Sequence, residues 1–240
     1  MRLDKLLADT GLFSRKEATQ AIRAGRVTVG GQIERKSDRQ VREGVDEITL
    51  DGSAVVYTKY DYIFLNKPAG YVSATEDSAL PCVTELLPPP YDKRGLFPCG
   101  RLDRDTVGWM LLTNDGQTAH RLLSPKRHVE KIYRFTCDTP LPREAEEAFE
   151  AGMTIDGGEV CKHSRLICNE TRTAGQITLT EGKYHQVKRM IEALGSRVTF
   201  LERISFAGIP LDEGLARGAW RHATEEEKKA LLAAAEIKES

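Results

Sequence analysis

Near the middle of the chain, Trp109-Met110-Leu111-Leu112-Thr113 is almost wholly apolar and stops at Asn114-Asp115-Gly116. An apolar run that short, closed by turn residues, reads as a buried core strand. The segment that enters it is Gly100-Arg101-Leu102-Asp103-Arg104-Asp105-Thr106-Val107-Gly108. A carboxylate is set between two arginines, just after a glycine, on a loop that must run straight into the core. Composition alone would make this a solvated turn with surface ion pairs.

At 240 residues, the chain has room for one large domain or for a small one followed by a medium one. Hydrophobic residues make up 40% and charged residues 30%, the balance of a globular protein. No apolar run approaches the ~20 residues needed to span a bilayer, and Met1-Arg2-Leu3-Asp4-Lys5 has no signal-peptide core, so a cytoplasmic protein without membrane contact is expected. The five cysteines form no Cys-x-x-Cys pair, which points to reduced thiols, and the histidines show no metal-ligand spacing. No metal and no cofactor are expected.

Net charge is −1, yet residues 1–42 carry ten Lys/Arg against five Asp/Glu. A basic head on a mildly acidic body suggests an RNA-binding appendage. In that head Leu3, Leu6 and Leu7 recur at helical spacing. Ser14 and Glu17 form a capping box for a second helix with Ala18, Ala21 and Ile22 on its apolar stripe. Strands are expected at Arg26–Val29, before Gly30-Gly31, and at Ile48–Leu50. Arg15, Lys16 and Arg23 fall off the stripe and can face a phosphate backbone, where they would supply affinity but little base readout. Val55 to Lys59 reads as a linker.

In the body, Tyr62–Leu65 is an expected buried strand, and Asn66-Lys67-Pro68-Ala69-Gly70 an expected turn into a second strand, Tyr71–Ser73. Short helices are expected at Gln117–Leu123 and Arg143–Ala151, and alternating strands at Lys131–Phe135 and Gln176–Thr180. Val187, Met190, Ile191 and Leu194 lie at i, i+3, i+4 and i+7, one buried helix face that leaves Gln186, Lys188 and Arg189 outside it. A strand is expected at Val198–Ile204, and Thr224 with Glu227 caps a last helix.

Gly100-Arg101-Leu102-Asp103, with Thr106, Gly108, the leucine pair and Thr113-Asn114-Asp115-Gly116, resembles the catalytic-aspartate motif of the RsuA-type pseudouridine synthases. The head resembles an S4 RNA-binding domain. Asn66-Lys67-Pro68-Ala69-Gly70, Glu130-Lys131-Ile132-Tyr133 and Glu181-Gly182-Lys183-Tyr184-His185-Gln186-Val187-Lys188-Arg189-Met190 resemble further motifs of the same family. The last two, with Ser124-Pro125-Lys126-Arg127-His128, look most like the branch that acts on small-subunit (16S) rRNA. Trp109 and Arg104 depart from the leucine and the apolar residue usual in relatives.

The resemblance implies an α+β chain with an S4-like domain over 1–57 and a catalytic domain over 58–240. The second would have a mixed, mainly antiparallel sheet and a central cleft. It further implies Asp103 as the catalytic carboxylate, Tyr133 against the target base, and Lys188 as the cation paired with Asp103. Uridine in 16S rRNA, or in an assembling small subunit, would be flipped and isomerised to pseudouridine by a monomer. Asp103 would attack the sugar C1′ or ring C6, or assist elimination to a glycal. Arg101, Arg104, Lys67 and Arg189, with Arg2, Lys5, Arg15, Lys16 and Arg23 of the head, are the expected RNA contacts, Lys67 and Arg189 with the alternative of bracing the site. Two alternatives stand beside this reading: a large-subunit rRNA synthase of the same family, and a non-catalytic S4-domain rRNA-binding or assembly protein.

Overall fold

The structure, a computed structural model that describes residues 1–236, opens with two short helices, α1 (Leu3–Asp9) and α2 (Arg15–Arg23). Ser14 Oγ accepts the Glu17 amide at 3.3 Å, and the Glu17 carboxylate accepts the Ser14 amide at 2.7 Å, which closes the capping box. Leu3, Leu6, Leu7, Ala18 and Ile22 bury their stripe against Val27, Val29, Val41 and Ile48. Strands β1 (Val27–Val29), β2 (Gln32–Ile33), β3 (Ile48–Leu50) and β4 (Ser53–Ala54) form an antiparallel sheet in the order β2-β1-β3-β4.

This first unit spans Met1–Asp61 together with Leu87–Leu96. Val55 and Tyr57, expected in a linker, pack on its core. Arg94 returns to it from far along the chain: its side chain pairs with Asp61 and donates to the Asp9 and Thr58 carbonyls at 2.7 and 2.6 Å. Counted to Asp61, the unit has eleven Lys/Arg and ten Asp/Glu, so the basic excess of the first 42 residues is largely offset. Arg26, Arg39 and Arg42 are paired with Asp51, Glu34 and Asp46.

The second unit runs over Tyr62–Leu86 and from Phe97 onward. Its strands begin with β5 (Tyr62–Lys67), β6 (Phe97–Pro98), β7 (Val107–Thr113) and β8 (Lys131–Cys137). A small hairpin, β9 (Thr154–Ile155) and β10 (Glu159–Val160), precedes β11 (Arg165–Cys168) and β12 (Ala174–Leu179). The last three are β13 (Val198–Phe206), β14 (Ile209–Pro210) and β15 (Trp220–His222). Helices α3 (Gly116–Leu123), α4 (Ala145–Ala151), α5 (Gln186–Ala193) and α6 (Glu225–Glu236) lie among them. The sheet path is β11-β12-β8-β13-β7-β5-β15, antiparallel throughout except for the β13–β7 pair. No helix among the described residues is long and apolar enough to cross a membrane.

β7 is buried along its whole length, as an apolar run at the centre of a covered sheet requires. Trp109 sits between Phe64 and Phe206, with ring centroids 4.8 and 5.2 Å away, so neighbouring aromatics accommodate the bulk that departs from leucine. Ala119 and Leu122 of α3 and Leu231 and Ala235 of α6 cover this cluster. Gly108 has φ +99°, and a Cβ there would lie 2.3 Å from the Arg203 carbonyl oxygen. Only glycine lets the end of the loop come that close to β13.

One expected strand is absent. Tyr71–Ser73 does not return as a hairpin; Val72 makes a single bridge to Cys82. The Gly70 amide instead donates to the Arg104 carbonyl at 2.8 Å, and Ser73 Oγ donates to the Leu102 carbonyl at 2.7 Å. The Val72 backbone pairs with Pro81 and Val83 instead of with β5, its amide donating to the Pro81 carbonyl at 2.9 Å and its carbonyl accepting the Val83 amide at 3.0 Å.

Asp115 caps α3: it accepts the Thr118 amide at 3.1 Å, the Thr118 hydroxyl at 2.7 Å and the Tyr62 hydroxyl at 2.6 Å. Burial alone would raise its pKa, but the Tyr62 and Thr118 hydrogen bonds outweigh it and hold the carboxyl below its ordinary value of 3.8. Asp115→Ala leaves those buried donors unpaired and should cost about 2–3 kcal/mol in urea unfolding at neutral pH. Because the native pKa is the lower one, this stabilisation is complete above 3.8 and fades as pH falls through the native value. The gap between wild type and variant should therefore shrink in acid; a gap independent of pH would contradict the cap.

Candidate active site

The loop that presents Asp103 is held from beneath by a lysine. Lys67, at the end of β5, is fully buried, and its Nζ donates to the carbonyl oxygens of Pro68 (3.1 Å), Asp103 (3.1 Å), Arg104 (3.3 Å) and Thr106 (2.8 Å). Burial pushes this ammonium down to about 8, against the pull of Asp105 and Asp103. The structure therefore corrects the expectation that Lys67 is an RNA contact, because an ammonium with no exposed surface cannot reach a ligand. Ser73 adds a second clamp: its hydroxyl donates to the Leu102 carbonyl at 2.7 Å and accepts the Leu102 amide at 2.9 Å.

Asp103 emerges from this clamp with a quarter of its side chain exposed, and Lys188 Nζ lies 3.1 Å from its carboxylate. The sequence did not point to a third member. Lys188 also donates to Asp105 at 2.7 Å, so one ammonium is shared by two carboxylates two residues apart. Burial opposes charge on Lys188, yet the hydrogen bonds to Asp105 and Asp103 prevail and raise its pKa. Asp105 is likewise opposed by burial and held below its usual value by Lys188. His185 Nε2 lies 3.5 Å from the Asp103 carboxylate. Its backbone is left-handed at φ 48°, uncommon for a non-glycine residue, and its ring stacks on Tyr184 at 3.8 Å.

α5 carries Lys188, and its first turn explains why. Val187, Met190 and Ile191 are buried as expected, but so is Gln186, which was read as lying outside the apolar face. Its amide satisfies both ends internally, accepting the Lys183 amide at 2.9 Å and donating to Glu181 at 2.7 Å. Arg189 is also corrected as an RNA contact. Its guanidinium binds Asp156 and Glu159 and donates to the Tyr184 carbonyl at 3.1 Å, so it braces the turn before α5. Arg101 and Arg104, by contrast, are exposed on either side of Asp103.

These groups open on a cavity of about 600 Å³ lined by Asp103, Tyr133, Lys188, Lys131, Leu201 and Arg203, among others. Alternation along β8 turns Lys131, Tyr133 and Phe135 to one face, and Tyr133 forms part of the cavity wall with 9% of its surface exposed. Lys131 and Arg203, nearly buried in the floor, were not among the expected site residues. A strand arginine carries no sequence signal that separates it from a solvent-facing one. Of the head residues, Arg2 is bound to Asp4, Lys5 to Asp9, and Arg15 lies 3.8 Å from Asp4. Lys16 and Arg23 are exposed, and no acid among the described residues pairs with either side chain. No cluster of His, Cys, Asp or Glu among the described residues could hold a metal ion.

Residues 61–193 match the family model for RNA pseudouridylate synthase, and residues 1–46 match the S4 domain. An uncharacterised RNA pseudouridine synthase of Bacillus subtilis (strain 168) is 45% identical over 230 residues, 95% of this chain and 96% of the relative. Ribosomal small subunit pseudouridine synthase A of Escherichia coli (strain K12) is 40% identical over 228 residues, 95% of this chain and 98% of the relative. A crystal structure of a pseudouridylate synthase superposes with a TM-score of 0.68 at 36% identity, covering 96% of this chain and 99% of that one.

Lys67→Met removes the donor that gathers the loop carbonyls and should cost about 3 kcal/mol. Amide exchange across 100–106 should accelerate while that of β7 changes little. Lys67 has a lower pKa folded than unfolded, so burying it becomes easier as pH rises from about 8 towards 10.5. Wild type should gain stability relative to the variant over that window. Unchanged exchange in the loop would show that Lys67 does not hold it.

Proposed function

The chain belongs to the RNA pseudouridylate synthase family, and on that premise we propose that it converts a uridine of small-subunit (16S) ribosomal RNA to pseudouridine, with Asp103 as the catalytic carboxylate. The observation that carries this reading is the pairing of Asp103 with Lys188 at the edge of a cavity walled by Tyr133. The 40% identity to the small-subunit enzyme of Escherichia coli, over nearly the full length of both chains, supports the choice of RNA.

A uridine within folded RNA must be flipped out before its glycosidic bond can be reached, at a cost of a few kcal/mol. A cavity of about 600 Å³ has room for one nucleoside. Asp103 then has three routes open to it: attack at C1′, attack at C6, or assistance of elimination. Tyr133 faces the base. Lys188 keeps the carboxylate oriented while sharing its charge with Asp105, so the pair of acids does not repel freely. The detached uracil turns, bonds through C5 and loses the C5 proton.

The S4-type head supplies affinity, and its free cations Lys16 and Arg23 are its best phosphate contacts, with Arg101 and Arg104 serving the same purpose beside the cleft. The enzyme acts as a monomer in the cytoplasm, on 16S rRNA alone or within an assembling subunit.

Asp103→Asn keeps the shape of the loop and removes the charge. Incubated with a 16S rRNA transcript, the purified variant should bind RNA as wild type does and form no pseudouridine. Product formation above background by the variant would remove Asp103 from its assigned role.

A further inference from the structure

The cleft contains a cation whose hydrogen-bonding capacity the fold leaves unused. Arg203 is the direct cross-strand partner of Tyr133, in the β13–β8 register, and only 2% of its surface is exposed. Its Nε donates to the Trp109 carbonyl at 2.7 Å, and its guanidinium lies 5.2 Å from the centre of the Phe206 ring. Nη2 is buried without any hydrogen-bond partner, and the residue lines the cavity. Its neighbour Glu202 does not neutralise it, because that carboxylate is bound to Arg134 and Arg217.

A bulge between Arg203 and Ser205 shifts the register, so that Phe206 pairs with Lys131. Lys131 therefore stands next along the same floor, 8% exposed, its Nζ donating to the Val129 carbonyl at 2.8 Å. Burial pushes the Cys99 thiol up to about 12, so it supplies no counter-charge, and Glu181, which also lines the cavity, draws on Lys131 without a hydrogen bond to it. A buried charged donor left unpaired is costly, and Arg203 is one, with Lys131 beside it in the wall of the same cavity. Two cations so placed, neither in an ion pair with a carboxylate among the described residues, make a site for an acceptor atom that carries negative charge.

We propose that Arg203 is a further catalytic residue, its guanidinium donating an N–H to a carbonyl oxygen of the flipped uracil and stabilising the negative charge that gathers there, with Lys131 as a second positive charge beside it. This rests on the isomerase reading above. When the C1′–N1 bond breaks, its electron pair goes to the ring and is shared among N1, O2 and O4. C5 then returns a pair to C1′, and the C5 proton leaves to a base, so no oxidant or reductant is needed. Attack at C6 also drives charge onto a ring oxygen. Arg203 thus meets the charge that develops on the base in any of the three routes open to Asp103.

The test is a cycle of protein and substrate changes. Single-turnover rates are measured for wild type, Arg203→Lys and Arg203→Met on 16S rRNA transcripts made with uridine, 2-thiouridine or 4-thiouridine. Arg203→Met should lower the rate on the uridine transcript by about 10²–10³-fold, as removal of an oxyanion donor does, with RNA affinity retained. Arg203→Lys should recover part of it. One of the two thio substitutions, a poorer acceptor, should slow wild type and have no further effect on Arg203→Met, the non-additivity of a direct contact. Should Arg203→Met fail to fold, the same cycle is closed with Arg203→Lys, whose response to that thio substitution should be blunted. Additive losses with both thio transcripts, or a loss confined to RNA affinity, would overturn the contact. A wild type that forms no pseudouridine in the uridine transcript would instead overturn the isomerase reading itself.

Discussion

Four backbone carbonyls, from Pro68, Asp103, Arg104 and Thr106, point at one buried ammonium. Carbonyl dipoles gathered this closely repel one another unless a donor stands among them, and Lys67 is that donor. It has to come from a strand that cannot move, which β5 provides by lying between β7 and β15 in the sheet. Everything the loop does follows from this anchoring: Asp103 is presented at the end of β7, Arg104 accepts the Gly70 amide at 2.8 Å, and Gly108 can pass against β13. The cost is a lysine pushed to about 8 by burial, a reserve of strain located under the acid it helps to place.

Charge in the cleft is divided by depth of burial. At the rim, Lys188 is balanced by Asp103 and Asp105, and His185 stands close by in a left-handed backbone conformation. On the floor, Lys131 and Arg203 form no ion pair among the described residues, although Glu181 lines the same cavity and draws on Lys131. An enzyme that separates a base from its sugar develops charge on both fragments, and a site with acids towards one and cations towards the other can respond to each. The sheet register sets this division, because Arg203 and Tyr133 are cross-strand partners and the bulge brings Lys131 opposite Phe206.

Much of this was legible in the sequence where the signal is local. Both capping boxes, Ser14 with Glu17 and Thr224 with Glu227, are formed in the structure. The apolar stripe of α5 and the buried run of β7 also read directly from residue spacing. What escaped depends on contacts between distant segments. Leu87–Leu96 joins the first unit through Arg94, a connection no local pattern announces. Ser73 and Asp105 matter because of what the fold sets against them, and Gln186 is buried because its amide finds Glu181 and Lys183. Lys67 and Arg189 look like exposed cations until the sheet and the turn close around them. The basic head likewise looked stronger than it is, since five acids between residues 43 and 61 belong to the same unit.

The proposed activity of this cleft is the formation of pseudouridine in the RNA of the small ribosomal subunit. The direct measurement is a map of pseudouridine in all ribosomal RNA from cells with and without the gene, with the gene restored as wild type or as Asp103→Asn. One small-subunit uridine should lose its modification when the gene is removed, regain it with wild type and not regain it with the variant. Loss of a large-subunit site instead, or a map that does not change, would contradict it.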